Sequence, residues 1–192
     1  MDSNLTLNKI QQSLYGVVAE FSKNPADFLY ESDLQCMLYG NMRNNFSECL
    51  IRSEAKDLEQ LFNYRPLINP VKSEYPYNVE GLRAKFDLAI LDDVQDPLFR
   101  IWWQSCKVGI EIKLWQSDGT GNDVFSDVNK LKSYLKIAQS RNKEFTGISL
   151  LFVHPCAEKR LAQITERTAP TLSVNSVSLH VVTRTEWSGI PV

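Results

Sequence analysis

The chain has 192 residues, 43% hydrophobic and 23% charged, which is enough to bury one core and ordinary for a globular protein. Against 23 acidic side chains stand 21 basic ones, a net charge of −2; this excludes nucleic-acid binding through bulk positive charge but not through a local basic groove. No apolar run approaches the ~20 residues of a membrane span, and the first residues, Met1-Asp2-Ser3-Asn4, carry no basic or apolar stretch, so no signal peptide is expected. The four cysteines are scattered without a CxxC pair, so reduced thiols in a cytoplasmic protein are expected rather than a disulfide framework.

Residues 5–22 carry Leu7, Ile10, Leu14, Val17, Val18 and Phe21 at three- and four-residue spacing, which predicts a helix. Asn24-Pro25 ends it and predicts the start of a second, with Asn24 as N-cap and an apolar stripe of Ala26, Leu29, Tyr30, Leu34, Met37 and Leu38 running to about Asn44. Glu31 lies at the edge of that stripe with Gln35 one turn on, while Asp33 projects nearer its middle. A short helix is expected around 54–62, and a first strand near 67–77, a stretch broken by Pro70 and Pro76 and containing Tyr75 and Tyr77.

Arg83 to Asp93 reads as a strand in which Asp87 points opposite to Phe86, Leu88 and Ile90. Residues 94–106, with Trp102 and Trp103, read as a long connection or an extended hairpin arm. The most informative stretch follows. In Val108-Gly109-Ile110-Glu111-Ile112-Lys113-Leu114-Trp115 the apolar residues alternate with period two, which predicts a strand with Glu111 and Lys113 side by side on one face. A loop with two glycines (117–122) leads into a helix over 123–140 with the stripe Val124, Val128, Leu131, Leu135 and Ala138. Phe145 to Val153 is a nearly continuous apolar run, as in a central strand. A short helix over 156–168 and a strand over 177–182 complete the chain.

This order of elements, with Glu31 on the first core helix, Asp87 on the second strand and Glu111-Ile112-Lys113 on the third, resembles the PD-(D/E)XK nuclease superfamily, the restriction-endonuclease-like fold. The resemblance covers about Pro25 to Val153. Phe86 stands where the motif has proline, and the 24 residues from Asp87 to Glu111 require a long connection between adjacent strands. The resemblance implies an α/β protein with an αβββαβ core, a mixed central sheet flanked by helices. It also implies a single domain: a helical extension at 1–24, a catalytic core at 25–153 and a closing helix and strand at 154–192.

The family's chemistry suits these residue types. A phosphodiester repels hydroxide, and a divalent cation offsets that charge and acidifies its bound water. Mg2+ prefers oxygen ligands and keeps several waters, so two carboxylates suffice. The resemblance makes Asp87 and Glu111 the ligands, with the Ile112 carbonyl as a third and Mn2+ as a substitute for Mg2+. Lys113 would orient or deprotonate the attacking water and offset negative charge, and Glu31 would reach in from the helix.

Lys130, Lys132, Arg83 and Lys85 are candidates for contact with a nucleic-acid backbone, and Gln35, Asp127 and Tyr134 for supporting positions. His154-x-Cys156 has no matching second pair and does not read as a zinc site. The expected function is a Mg2+-dependent nuclease acting on DNA in restriction, repair, recombination or phage-related defence, with RNA left open and a homodimer expected if two strands are cut. The alternative is an inactive nucleic-acid-binding or regulatory protein on the same fold.

Overall fold

The computed structural model describes residues 2–79, 82–93, 100, 104–116, 122–160 and 176–187. Trp102, Trp103, the glycine loop after Gln116 and the second half of the 156–168 segment lie outside the described residues, as do the side chains of Arg83 and Asp123.

The helix at the amino terminus, α1 (Ser3–Lys23), buries Ile10, Leu14, Val17 and Phe21, the stripe read from the sequence, and its N-cap Asp2 accepts from the Asn4 amide. The second helix begins later than its proline suggests. Pro25–Asp27 forms only a 3-10 turn, and α2 runs over Glu31–Asn45. Asp33 Oδ2 accepts from the Leu29 and Tyr30 amides at 3.0 and 2.9 Å, so the helix is capped there rather than at Asn24. Leu29 and Tyr30 are accordingly exposed, and the buried stripe of α2 is Leu34, Leu38 and Met42.

The expected first strand is two pieces. A two-residue β1 (Ile51–Arg52) precedes α3 (Lys56–Phe62) and pairs antiparallel with β2 (Leu67–Ile68). The chain then turns at Asn69-Pro70 into β3 (Val71–Val79). β4 (Leu82–Leu91), β5 (Cys106–Trp115), α4 (Asn122–Ser140), β6 (Thr146–Val153) and β7 (Val177–Val182) follow. The five long strands form one sheet in the order β3-β4-β5-β6-β7, antiparallel as far as β5 and parallel from β5 to β7. The protein is therefore α/β with a mixed sheet flanked by helices. Pro76 is tolerated because β3 is an edge strand.

Ile110 and Ile112 of β5 pack with α1 and α2 on one face. On the other, Val128, Leu131, Leu135 and Ala138 of α4 pack against Phe86, Ala89, Tyr75 and Tyr77. From Val108 onward β5 alternates between the two as its sequence requires, although Cys106, across a register shift, lies on the α4 side; β3 and β4 do not alternate throughout. Leu88 and Ile90 lie on the α1/α2 side, yet Phe86 lies on the α4 side with Ala89 and Leu91, so the alternation of β4 reverses across Asp87. That overturns the simple opposition of Asp87 to Phe86, Leu88 and Ile90. β3 reverses at the facing position: Val71 is on the α1/α2 side and Tyr75 and Tyr77 on the other, and Glu74 between them has φ 49°. A left-handed residue turns the following side chains to the opposite face, and here no glycine provides it.

Among the described residues no helix is long and apolar enough to cross a membrane. Cys36, Cys49, Cys106 and Cys156 form no disulfide with one another.

Gly109 lets the aromatic layer approach β5. A Cβ there would stand 2.9 Å from Phe86 Cε1 and from Phe145 Cζ, both rings being buried. Gly109→Ala is expected to cost ~1–3 kcal/mol by overpacking, read as a lower urea midpoint with an unchanged m-value.

Candidate active site

The ladder between β4 and β5 runs from Leu91 to Leu88 on one strand and from Cys106 to Ile110 on the other, then stops. One step further along that register Asp87 faces Glu111. Beyond it β4 pairs only with β3, and β5 only with β6. The β3–β4 hairpin thus peels away from β5 and opens a cleft. At the point of separation the Asp87 carboxylate replaces the missing ladder bond: its Oδ2 accepts from the Ile112 amide at 2.6 Å. The N–H and C=O of one strand residue leave on the same side, so the Ile112 carbonyl is also directed to the β4 edge.

Gln35 of α2 holds Asp87 from behind. Its Nε2 donates to the Asp87 carbonyl at 3.0 Å and to Glu74 Oε1 at 2.9 Å. One amide therefore joins the two positions at which β3 and β4 reverse. Glu74 also meets Lys85 Nζ at 3.5 Å, which takes Lys85 to an exposed ion pair on the outer strand. Glu74 was missed by sequence reasoning, since a glutamate in a tyrosine-rich strand carries no turn signal.

Glu111 lies on the α4 side of the cleft and is almost wholly buried, with 2% side-chain exposure. Its Oε2 meets Lys130 Nζ at 3.2 Å, and its Oε1 is buried without a hydrogen-bond partner. Lys130 also meets Asp127 Oδ1 at 2.9 Å. Asp127 and Lys130 are thus both in the site, bridged by one ammonium. Tyr77, on β3, stands within the influence of the same three groups: burial raises its hydroxyl pKa, and the Glu111 charge adds to it. Tyr77 is the second residue that sequence reasoning missed, having been read only as part of an extended pair.

Lys113 faces the mouth of the cleft, where its Nζ pairs with Glu31 Oε1 at 3.1 Å. Glu31 is the first residue of α2, where the helix dipole favours a carboxylate. Asp33, the rival acid on that helix, is occupied by the cap. The structure therefore brings Glu31, Asp87, Glu111, Lys113, Gln35, Asp127 and Lys130 together around the parting of the strands.

Tyr134 goes elsewhere. One turn beyond Lys130, it packs against Tyr77, Phe86 and Phe145 at 4.7–5.3 Å, and its hydroxyl accepts from the Cys106 amide at 3.0 Å. The space above Gly109 is what admits this aromatic layer. Of the remaining basic residues on and after α4, Lys143 pairs with Asp92 at 3.1 Å, and Lys132 is half-buried.

Burial dominates the electrostatics. It raises the Glu111 carboxyl to about 8, helped by the Asp87 charge and opposed by Lys130. It raises Asp87 to about 6, opposed by the Ile112 amide. For Lys130 burial works downward, but the hydrogen bond to Asp127 and the charges of Glu111 and Asp127 outweigh it and push its pKa up.

No family model, curated protein or solved structure matches the chain. The case for a function rests on the side chains in the cleft. Among the described residues, no three His, Cys, Asp or Glu side chains form a ready cation cage. The donor set is smaller: two carboxylates and one carbonyl edge, which suits an ion that keeps several waters, such as Mg2+, better than one needing a full protein cage. The orphaned Glu111 Oε1 fits that use, because a buried carboxylate oxygen without a partner is costly unless something else satisfies it.

The raised carboxyls give the metal-free protein a definite pH dependence. Between the ordinary carboxyl value and about 8, the folded chain holds protons on Glu111 that the unfolded chain has released, and Asp87 does so up to about 6. The unfolded state then binds fewer protons, so stability falls as pH rises across this window. In EDTA the melting temperature is expected to drop from about pH 5 to about pH 8, and Glu111→Gln should flatten the upper part of that decline.

Proposed function

We propose that this protein is a divalent-metal-dependent nuclease of the restriction-endonuclease-like fold, hydrolysing phosphodiester bonds in DNA. One observation carries the reading: the buried, half-satisfied carboxylate of Glu111 stands beside Asp87 where two paired strands part, with Lys113 two residues along β5. Strand breaks of this kind use backbone that would otherwise complete a sheet, and a pair of carboxylates at one, Glu111 buried and Asp87 half-buried, fits a functional arrangement better than a stabilising one.

In this reading Asp87, Glu111 and the Ile112 carbonyl hold Mg2+ or Mn2+. When bound, the ion offsets the phosphate charge and acidifies a water. Lys113, anchored by Glu31, positions the nucleophile and stabilises charge developing on the phosphate. Gln35 fixes the Asp87 backbone, so that the carboxylate stays aimed into the cleft. The net charge of −2 leaves backbone attraction to local groups, with Lys130 against Glu111, Lys132 also on α4, and Lys85 and Arg83 on β4.

The test is incubation of the purified chain with supercoiled plasmid, linear duplex, single strands and RNA, with and without Mg2+ or Mn2+. Cleavage of DNA that requires the ion is expected. Asp87→Asn and Glu111→Gln should each weaken ion binding substantially in calorimetry while the fold persists. Lys113→Ala should keep ion and DNA binding, the latter measured in Ca2+, yet lose roughly 10²-fold or more in single-turnover cleavage. A wild-type chain that cuts neither DNA nor RNA would transfer the site to the alternative, a binding or regulatory protein.

A further inference from the structure

Two carboxylates of the cleft interior, Glu111 and Asp127, share one ammonium. Among the described residues, the cation that meets Glu111 is Lys130, at 3.2 Å, and it is held at the same time by Asp127 on its own helix, at 2.9 Å. The two contacts differ in kind. The one to Asp127 joins residues three apart on α4 and moves with the helix. The one to Glu111 crosses from α4 to β5 and depends on the Lys130 side chain reaching inward. That side chain is 36% exposed, whereas Glu111 is 2% exposed. The lysine thus has solvent to move into while the carboxylate has nowhere to go.

We propose that Lys130 is a resident counter-cation. Its ammonium satisfies Glu111 in the resting protein, competes with a divalent ion for that carboxylate, and gives it up on ion binding while staying tethered to Asp127 at the cleft. The inference rests on the metal-binding part of the reading above and adds a role for α4 to it. A buried carboxylate without any partner is strongly destabilising, so a site built to take a cation needs a substitute when the cation is absent. An ammonium supplies one, but it fills only one of the two oxygens. Glu111 Oε1 is left unpartnered, which is the mismatch expected when a monodentate donor replaces an ion with several waters. Lys113 meets Glu31 of α2, at 3.1 Å.

Two effects follow from one substitution, and a purely structural lysine produces only the first. Above about pH 8, where the Glu111 carboxyl is ionised, Lys130→Gln should lower the melting temperature in EDTA, because Glu111 loses its partner. It should also bind Mn2+ more tightly than the wild type, on the order of tenfold, because the competitor is gone. Lys130→Arg keeps the charge and should remain near the wild type in both.

The experiment is calorimetric titration of the full chain with Mn2+ and then Mg2+, without nucleic acid, alongside thermal unfolding in EDTA and in Mn2+. Tighter Mn2+ binding by Lys130→Gln, with a larger ion-induced rise in melting temperature, is the supporting result, as is Mn2+ binding by the variant when the wild type shows none. Equal or weaker binding by Lys130→Gln overturns the inference while leaving the metal site intact. Should Lys130→Gln fold only in Mn2+, the ion is replacing the ammonium and the inference stands. Failure to fold in either condition, with Lys130→Arg folding normally, makes the lysine structural and the inference falls. Absence of Mn2+ binding in both the wild type and Lys130→Gln removes the metal site itself, and the nuclease reading with it.

Discussion

A single hydrogen bond organises the centre of this molecule: the Asp87 carboxylate accepts from the Ile112 amide where β4 leaves β5. Parting two strands exposes amide and carbonyl groups that must find other partners. Here a side chain takes the amide, so the separation leaves the sheet intact on either side. Everything in the candidate site is measured from that point. Glu111 is the next residue across, Ile112 turns its peptide edges to the gap, and Lys113 lies at its mouth, against the first residue of α2.

The separation is reinforced by a reversal in both strands of the hairpin. Glu74 takes a left-handed conformation opposite Asp87, and the faces of β3 and β4 exchange there. The exchange lets Tyr75, Tyr77 and Phe86 join the aromatic layer under α4, while Leu88 and Ile90 remain beneath α1 and α2. Gln35 bonds to both reversal points and ties the first helix of the core to the hairpin that moves away. The buried aromatic layer anchors the hairpin, so the cleft is a consequence of packing on both faces rather than of a loose edge.

Charge in the cleft is arranged in two tiers. At the mouth, Lys113 and Glu31 form a partly exposed pair of the kind that adds little to stability. Deeper, Glu111 is buried against Lys130 and Asp127, with one oxygen unsatisfied. A fold selected only for stability would replace that cluster with apolar side chains. Its presence beside a broken ladder is a local cost set against the well-packed core on either side, the pattern expected at a functional site.

The periodicities in the chain determined the elements that need only a face to bury. The stripes of α1 and α4, the alternation of β5 and the apolar run of β6 each appear where residue spacing places them, because a helix or strand with one continuous apolar face has one stable way to sit. Glu111 and Lys113 were legible for the same reason, since neighbours on a strand face are fixed by parity. What the sequence left undecided depends on contacts between distant segments. The start of α2 moved from Pro25 to Glu31 because Asp33 caps the helix across the turn at Leu29 and Tyr30. The left-handed Glu74, the reversal at Asp87 and the placing of Tyr134 among aromatic rings go with a layer of rings that includes Phe86 and Phe145 over Gly109, which no local pattern shows. The pairing of Lys130 with Glu111 is likewise tertiary: Asp127 and Lys130 stand three apart on one helix, but only the stacking of α4 on β5 brings the ammonium to a buried carboxylate on a different element.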